Sequence, residues 1–362
     1  MKIAYIWPRS RHDALGHDYW LTNTDGHFAT FAYLARYYTV QILAGASVPL
    51  DTMRDAYAIR LRPDWSQRLE LLCDLAPDVV VCYGPLIEDW HEVRELCPQA
   101  VVALDYGGGP LTDFNGNVSA AAGQFDWIFT AHETQASLLR AGGAKASKAR
   151  GVPTNVYMPM TIPKIWHIFC PTTFAAGKRP ALAAQYCEQY APKLPSLFCG
   201  FMEHPAVVDM TRSGGIPLNK VGPVSRNGIQ FGGRIPYPLM PLTYSASEIV
   251  VCASQEEAGP YVPMEAMACG VPTIVCTDME WRAAEAFKEL AEIFQGGIHV
   301  VDPSPEAIHQ AVNTIMADYK RESLAARAAV LARYDWWPMY REIDQRLKNL
   351  VAFKQGGQEA VP

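Results

Sequence analysis

The sequence predicts an α/β protein built as two doubly wound units that face a central cleft. Three observations predict it: short apolar runs alternate with longer amphipathic segments, a proline-rich stretch interrupts them once, and the alternation then restarts. At 362 residues the chain exceeds what one ordinary core holds, so two domains are expected. The apolar runs of the first half are "KIAYIW" (2–7), "YTVQILAG" (38–45), "DVVVCYG" (78–84), "AVVALDYG" (100–107) and "WIFTAH" (127–132). Between them lie helix-like stretches such as "HFATFAYLARYY" (27–38) and "WSQRLELLCDLAP" (65–77). Continuously apolar strands separated by helices mark a parallel sheet covered on both faces.

The stretch "GVPTNVYMPMTIPKIW" (151–166) carries three prolines and reads as an extended crossing between domains. Beyond it come "IWHIFC" (165–170), "SLFCGF" (196–201), "NGIQFGG" (227–233), "EIVVCAS" (248–254), "PTIVCT" (272–277) and "IHVVD" (298–302). The expected domains are 1–160 and 161–335. A C-terminal helix over 336–362 returns toward the first domain and ends in a frayed tail, "QGGQEAVP".

Composition narrows the function classes. The net charge of −6 disfavours a dedicated nucleic-acid binder. The nine cysteines form no C-x-x-C pair, and several sit inside apolar runs, which fits buried free thiols in a reducing cytosol. No window reaches membrane length, and the first apolar run is too short for a signal peptide; a soluble, cytoplasmic protein is expected. His12, His17 and His27 share the long first loop, but their spacing fits no strict metal site. There is no D-x-D. Neither pattern offers a metal site, and no cofactor is expected.

Doubly wound sheets bind ligands beyond the carboxyl ends of their strands. After "EIVVCAS" comes "QEEAGPYVPMEAMACG", with Glu257 and Glu265 around Gly259, Pro260 and Pro263. Pro263 suits the first position of a helix, while Gly270 and Pro272 end it, which predicts a two-turn helix over roughly 263–269. Glu265 then lies in the first turn, near the positive end of the peptide dipoles. Its free N–H groups are apt for phosphate. On spacing alone, Glu265 is as readily a helix cap and Glu257 a solvated loop acid.

The register of Glu257, Glu265 and "AMACGVPTIV" resembles the nucleotide-sugar signature of retaining GT-B glycosyltransferases, especially glycosyltransferase family 4. The resemblance extends more weakly over "APDVVVCYG", "GVPTNVYMP", "GIQFGGRIPYPLMPLTYSASEIVVCAS", "IHVVDPSPEAIHQAV" and Trp336/Trp337. It implies two Rossmann-like domains and transfer of a sugar from a nucleotide-diphosphate donor, a UDP- or GDP-sugar, to a hydroxyl acceptor with retained configuration. It implies that Glu265 holds the ribose and Glu257 the donor sugar, with the N–H groups of Tyr261 and Val262 facing the diphosphate and Gly259 beside them. Lys178 matches the family lysine, but Thr173 stands where the family has arginine; Arg179 or Arg234 can replace it. The family histidine near "ALDYGGGP" is replaced by Asp105 and Tyr106. Asp105 can take over a sugar hydroxyl, and the glycines that follow, Gly108 among them, permit close approach of backbone to ligand. Paired glycines after the first strand are missing, leaving Gly26 ahead of the first helix; His132 follows a strand and can line the acceptor side.

The acceptor stays open among a glycan, a natural product, a lipid-linked saccharide and a modified base. Two other readings share this fold: a nucleotide-sugar epimerase and a catalytically silent sugar-nucleotide binder. A nicotinamide dehydrogenase is disfavoured because no G-x-G-x-x-G follows "KIAYIW".

Overall fold

The computed structural model describes residues 1–6, 34–44, 58–61, 65–83, 90–106, 123–130, 133–149, 151–172, 178–199, 224–226, 228–232, 235, 239–255, 261–276 and 283–356. The chain divides into two units, Met1–Arg150 with Trp336–Pro362, and Gly151–Asp335. The boundary expected at 160 thus falls inside the second unit. The segment after Gly151 belongs there because Val152 forms a parallel bridge with Asp335. Its N–H donates to the Tyr334 carbonyl at 2.8 Å, and Thr154 Oγ1 donates to Asp335 Oδ1 at 2.9 Å.

The first unit holds one parallel sheet of strands β1 (Lys2–Ile6), β2 (Thr39–Ala44), β3 (Ala58–Leu61), β4 (Val79–Tyr83), β5 (Val101–Tyr106), β6 (Trp127–Thr130) and β7 (Ala146–Lys148). Their spatial order is β3-β2-β1-β4-β5-β6-β7. Helices α1 (Trp65–Leu75), α2 (Trp90–Leu96) and α3 (Glu133–Ala141) are its described crossovers. Residues of these helices, Leu72, Trp90, Val93 and Leu139 among them, pack with Ala4, Ile6, Val80 and Leu104 on one face of the sheet. The other face presents Ile3, Tyr5, Val81 and Ala103. It is covered by Leu34 and by the long helix α10 (Trp336–Lys354), through Trp336, Tyr340, Ile343 and Leu347. Both faces are covered, which is why the central strands carry apolar residues on both faces rather than at alternate positions only. Polar contacts fix the same helix: Arg346 lies 4.0 Å above the Trp127 ring, and Lys354 donates to the Ala100 carbonyl at 2.9 Å.

The second unit repeats the plan with β8 (Trp166–Pro171), β9 (Ser196–Cys199), β10 (Val224–Arg226), β11 (Ile229–Gly232), β12 (Ser247–Cys252), β13 (Thr273–Cys276) and β14 (Ile298–Val301). The order is β10-β11-β9-β8-β12-β13-β14, parallel except for the antiparallel edge strand β10. Its helices are α4 (Pro180–Tyr190), α5 (Met240–Ser245), α6 (Tyr261–Ala268), α7 (Ala283–Phe294), α8 (Pro305–Ala317) and α9 (Tyr319–Arg333). Ser304 caps α8 by accepting from the Ala307 N–H at 3.1 Å. Strand order reverses between β1 and β4 in the first unit and between β8 and β12 in the second. At such a point the two crossovers leave in opposite directions and open a crevice beyond the carboxyl ends.

All nine cysteines are free, and all but Cys73 are buried. Burial pushes the Cys97, Cys187 and Cys199 thiols up to about 11, so these behave as small apolar fillers.

Candidate functional site

The second unit's reversal point carries the best-described part of the predicted site. Strand β12 ends at Cys252, and the next described helix is α6. It begins at Tyr261, two residues before the expected start, so Pro263 is its third residue. Proline is tolerated there because the first four N–H groups of a helix have no partner within it. Glu265 is consequently the fifth residue, past the first turn where it was expected. It is buried, at 5% exposure, and not a surface cap.

A carboxylate taken out of water needs donors. Tyr244, on α5, supplies one: its hydroxyl donates to Glu265 Oε2 at 2.9 Å, and the ring is fully buried between Tyr157 and Phe169. Burial, reinforced by the Glu265 charge, raises the Tyr244 hydroxyl well above the usual tyrosine range. The same two causes push the Cys269 thiol up to about 12. The tyrosine therefore stays protonated and remains a donor.

The far end of α6 is closed as the sequence suggests. Gly270 takes a φ of +70°, where a side chain is disfavoured, and its carbonyl accepts from Ser323 Oγ at 2.6 Å. Arg327, on α9, donates to the Ala268 carbonyl and to those of Tyr157 (2.8 Å) and Thr154 (3.1 Å). A cation there satisfies exposed carbonyls and suits the negative end of the helix. From Pro263 to Ala268 every residue of α6 is buried, so the helix is fixed at its foot and along its length, and only its start is less buried.

Across the reversal point, Lys178 and Arg179 lie between β8 and α4, both half-buried. Arg179, expected among the donor ligands, turns its guanidinium to main-chain carbonyls. Nε donates to Ala253 O at 2.9 Å, and Nη2 to Ser254 O and Cys276 O, each at 3.3 Å. In the first unit, Asp105 is 9% exposed near the carboxyl end of β5 and accepts from the Tyr5 hydroxyl at 3.1 Å. Tyr106 closes the same strand, opposite Thr130. Glu257, Gly259, Arg234, Gly108, His132 and Gly26 lie outside the described residues.

Two functional candidates were not singled out from sequence. Tyr244 lies 21 positions from Glu265, inside a run already similar to the family pattern, yet no role came with that similarity. Arg327 lies 59 positions from Ala268, with no local signal at all. Among the described residues no group of three or more His, Cys, Asp or Glu side chains is placed to hold a metal ion. Among them, too, no helix is long and apolar enough to cross a membrane.

These two units define the GT-B fold. Sucrose-phosphate synthase from Thermosynechococcus elongatus matches with a TM-score of 0.69 at 16% identity, covering 97% of this chain and 99% of that one. Anabaena HepE, solved with UDP-glucose, gives 0.71 at 12% identity over 96% and 99%. A glycosyltransferase from Rickettsia africae gives 0.71 at 15% over 97% and 98%. At such identities the likeness is one of fold. A finer match is local: residues 225–330 fit the model of the family described as Glycosyl transferases group 1, a span running from within β10 into α9 and including Tyr244, Glu265 and Arg327. No curated protein sequence matches the chain.

Proposed function

We propose that the protein is a retaining, metal-independent glycosyltransferase that moves a sugar from a nucleotide-diphosphate donor to a hydroxyl acceptor. The observation carrying this reading is Glu265, a buried carboxylate held by Tyr244 on the helix that follows the reversal-point strand, inside the segment fitting the family model. In this reading Glu265 holds the ribose hydroxyls and Glu257 those of the donor sugar. The N–H groups of Tyr261 and Val262, with Gly259 allowing close approach, meet the diphosphate. Lys178 and Arg234 neutralise it; an anionic leaving group departs only if its charge is met by preorganised donors. Asp105 takes a sugar hydroxyl, while Tyr106, Gly108, His132 and Gly26 serve the acceptor.

In the chemical step the acceptor oxygen bonds to the anomeric carbon on the face from which the diphosphate leaves. The bond from that carbon to the diphosphate oxygen breaks, and the acceptor's proton passes to the departing diphosphate. The protein's contribution is positional and electrostatic.

The test is a thermal-shift panel of UDP, GDP, ADP and UDP-glucose, the last being the ligand in the HepE complex. One diphosphate should raise the melting temperature as its concentration rises, because it binds only the folded state. If none does, the donor site is wrong. Stabilisation without diphosphate release in the presence of any hydroxyl acceptor would leave a silent binder.

A further inference from the structure

Among the described residues three non-glycine positions have positive φ: Ala76 (+42°), Gln295 (+55°) and Arg179 (+45°). Ala76 and Gln295 each directly follow a helix, α1 and α7, where a left-handed residue commonly closes the last turn. Arg179 is different. It directly precedes α4, where extended backbone is the rule, and its side chain makes no capping bond to that helix. Left-handed backbone is unfavourable for a residue with a Cβ, so something must hold it.

The guanidinium shows what does. Nε and Nη2 form the paired edge that an arginine uses to grip a phosphate in two-pronged fashion. Here that edge is spent on the protein. It reaches the carbonyls of Ala253 and Ser254, just past β12, and of Cys276, the last residue of β13. Its backbone meanwhile follows Lys178, on the β8 side of the same reversal point. One residue thus joins two strand exits, those of β12 and β13, to the backbone beside Lys178. A glycine would relieve the backbone yet leave the exits unlinked.

We infer that Arg179 is a positioning residue of the donor site, tying the exits of β12 and β13 to the backbone at Lys178 and acting through them instead of gripping the diphosphate. The inference rests on the glycosyltransferase reading above. It separates the two adjacent cations: Lys178 meets the leaving group, and Arg179 sets where Lys178 and the chain leaving β12 stand. A lysine cannot take over, since one ammonium cannot reproduce a planar fork spanning three carbonyls.

The test compares full-length wild type with Arg179→Gly and Arg179→Lys. Hydrogen exchange is read on the ligand-free protein at Cys252–Gln255 and Cys276, and binding with UDP and GDP by calorimetry. Arg179→Gly should exchange faster at those segments and keep a near wild-type melting temperature, because relief of the backbone offsets the lost bonds. Misplacing the site should weaken diphosphate binding by about tenfold to a hundredfold. Added guanidinium ion should restore part of that binding and slow the exchange, and Arg179→Lys should resemble Arg179→Gly. Unchanged exchange, or a lysine variant that binds as wild type does, would overturn the inference in favour of a simple charge contact. Wild type that binds neither UDP nor GDP would instead remove the donor reading itself, a distinct result.

Discussion

The Tyr244 hydroxyl stands 2.9 Å from Glu265 Oε2, and both side chains are buried. The pair joins α5, before β12, to α6, beyond it. A phenylalanine at 244 would keep the ring packing and strip one donor from a buried carboxylate. Losing such a bond costs about 1–3 kcal/mol. Tyr244→Phe should therefore lower the urea midpoint with an unchanged slope, and should weaken diphosphate binding as Glu265 loses its fixed orientation. A variant with wild-type midpoint and affinity would mean that the hydrogen bond contributes nothing.

The two acids should separate by kinetics. Glu265→Ala removes the proposed ribose acceptor, and a hydrogen bond to a charged group is worth about 1.5–3 kcal/mol, roughly tenfold or more in affinity. Its loss should appear in diphosphate binding. Glu257→Ala should instead depress turnover strongly and leave diphosphate affinity largely intact. Equal losses of both quantities in both variants would refute this division of roles.

Asp126 makes the acid limb of stability testable. Burial alone would raise its carboxyl; the Val102 N–H and the Arg94 and Lys354 cations outweigh this and hold it below the usual range. Its Oδ2 lies 2.8 Å from Arg94 and 3.1 Å from Lys354 of α10. A carboxyl whose folded pKa is depressed contributes stability that is complete above its unfolded value, about 4, and is lost as pH falls through the lower folded value. Asp126→Asn should lose stability at neutral pH. The gap between wild type and variant should close below about pH 4. A gap that persists through that window, followed by urea midpoints, would rule out the charge as its source.

Gly297, just before β14, has a φ of +82°, and a Cβ there would lie 2.2 Å from the Ala326 amide nitrogen of α9. Backbone cannot swing aside as a side-chain tip can. Gly297→Ala should cost about 4 kcal/mol or more and lower the melting temperature sharply. Gly143 offers the control: its φ is +91° but nothing lies within 4 Å of an added Cβ. Gly143→Ala should cost only the left-handed penalty of about 1–2 kcal/mol. Equal losses would show that the approach to α9 is not what requires glycine at 297.

The central strands were legible from sequence because burial on both faces demands unbroken apolar runs, as in "DVVVCYG" and "EIVVCAS". The short edge strands β3, β7 and β10 were not. They run only three or four residues and include Arg60, Lys148 and Arg226, since an edge has less surface to hide. The end of α6 was legible at Gly270, but its start was misjudged, because proline is accepted anywhere in a first turn and so does not mark which residue opens the helix.

The order of residues alone determined that two parallel-sheet units follow one another and that Glu265 rides a short helix after a buried strand; periodicity and helix-breaking chemistry are local and can be read along the chain. Folding decided the partners. Tyr244 reaches Glu265, Tyr5 reaches Asp105 across 100 positions, and Arg179 reaches the Cys276 carbonyl across 97 positions. Such hydrogen bonds depend on direction and on distances of about 3 Å, and only the packed sheets bring distant groups within that reach.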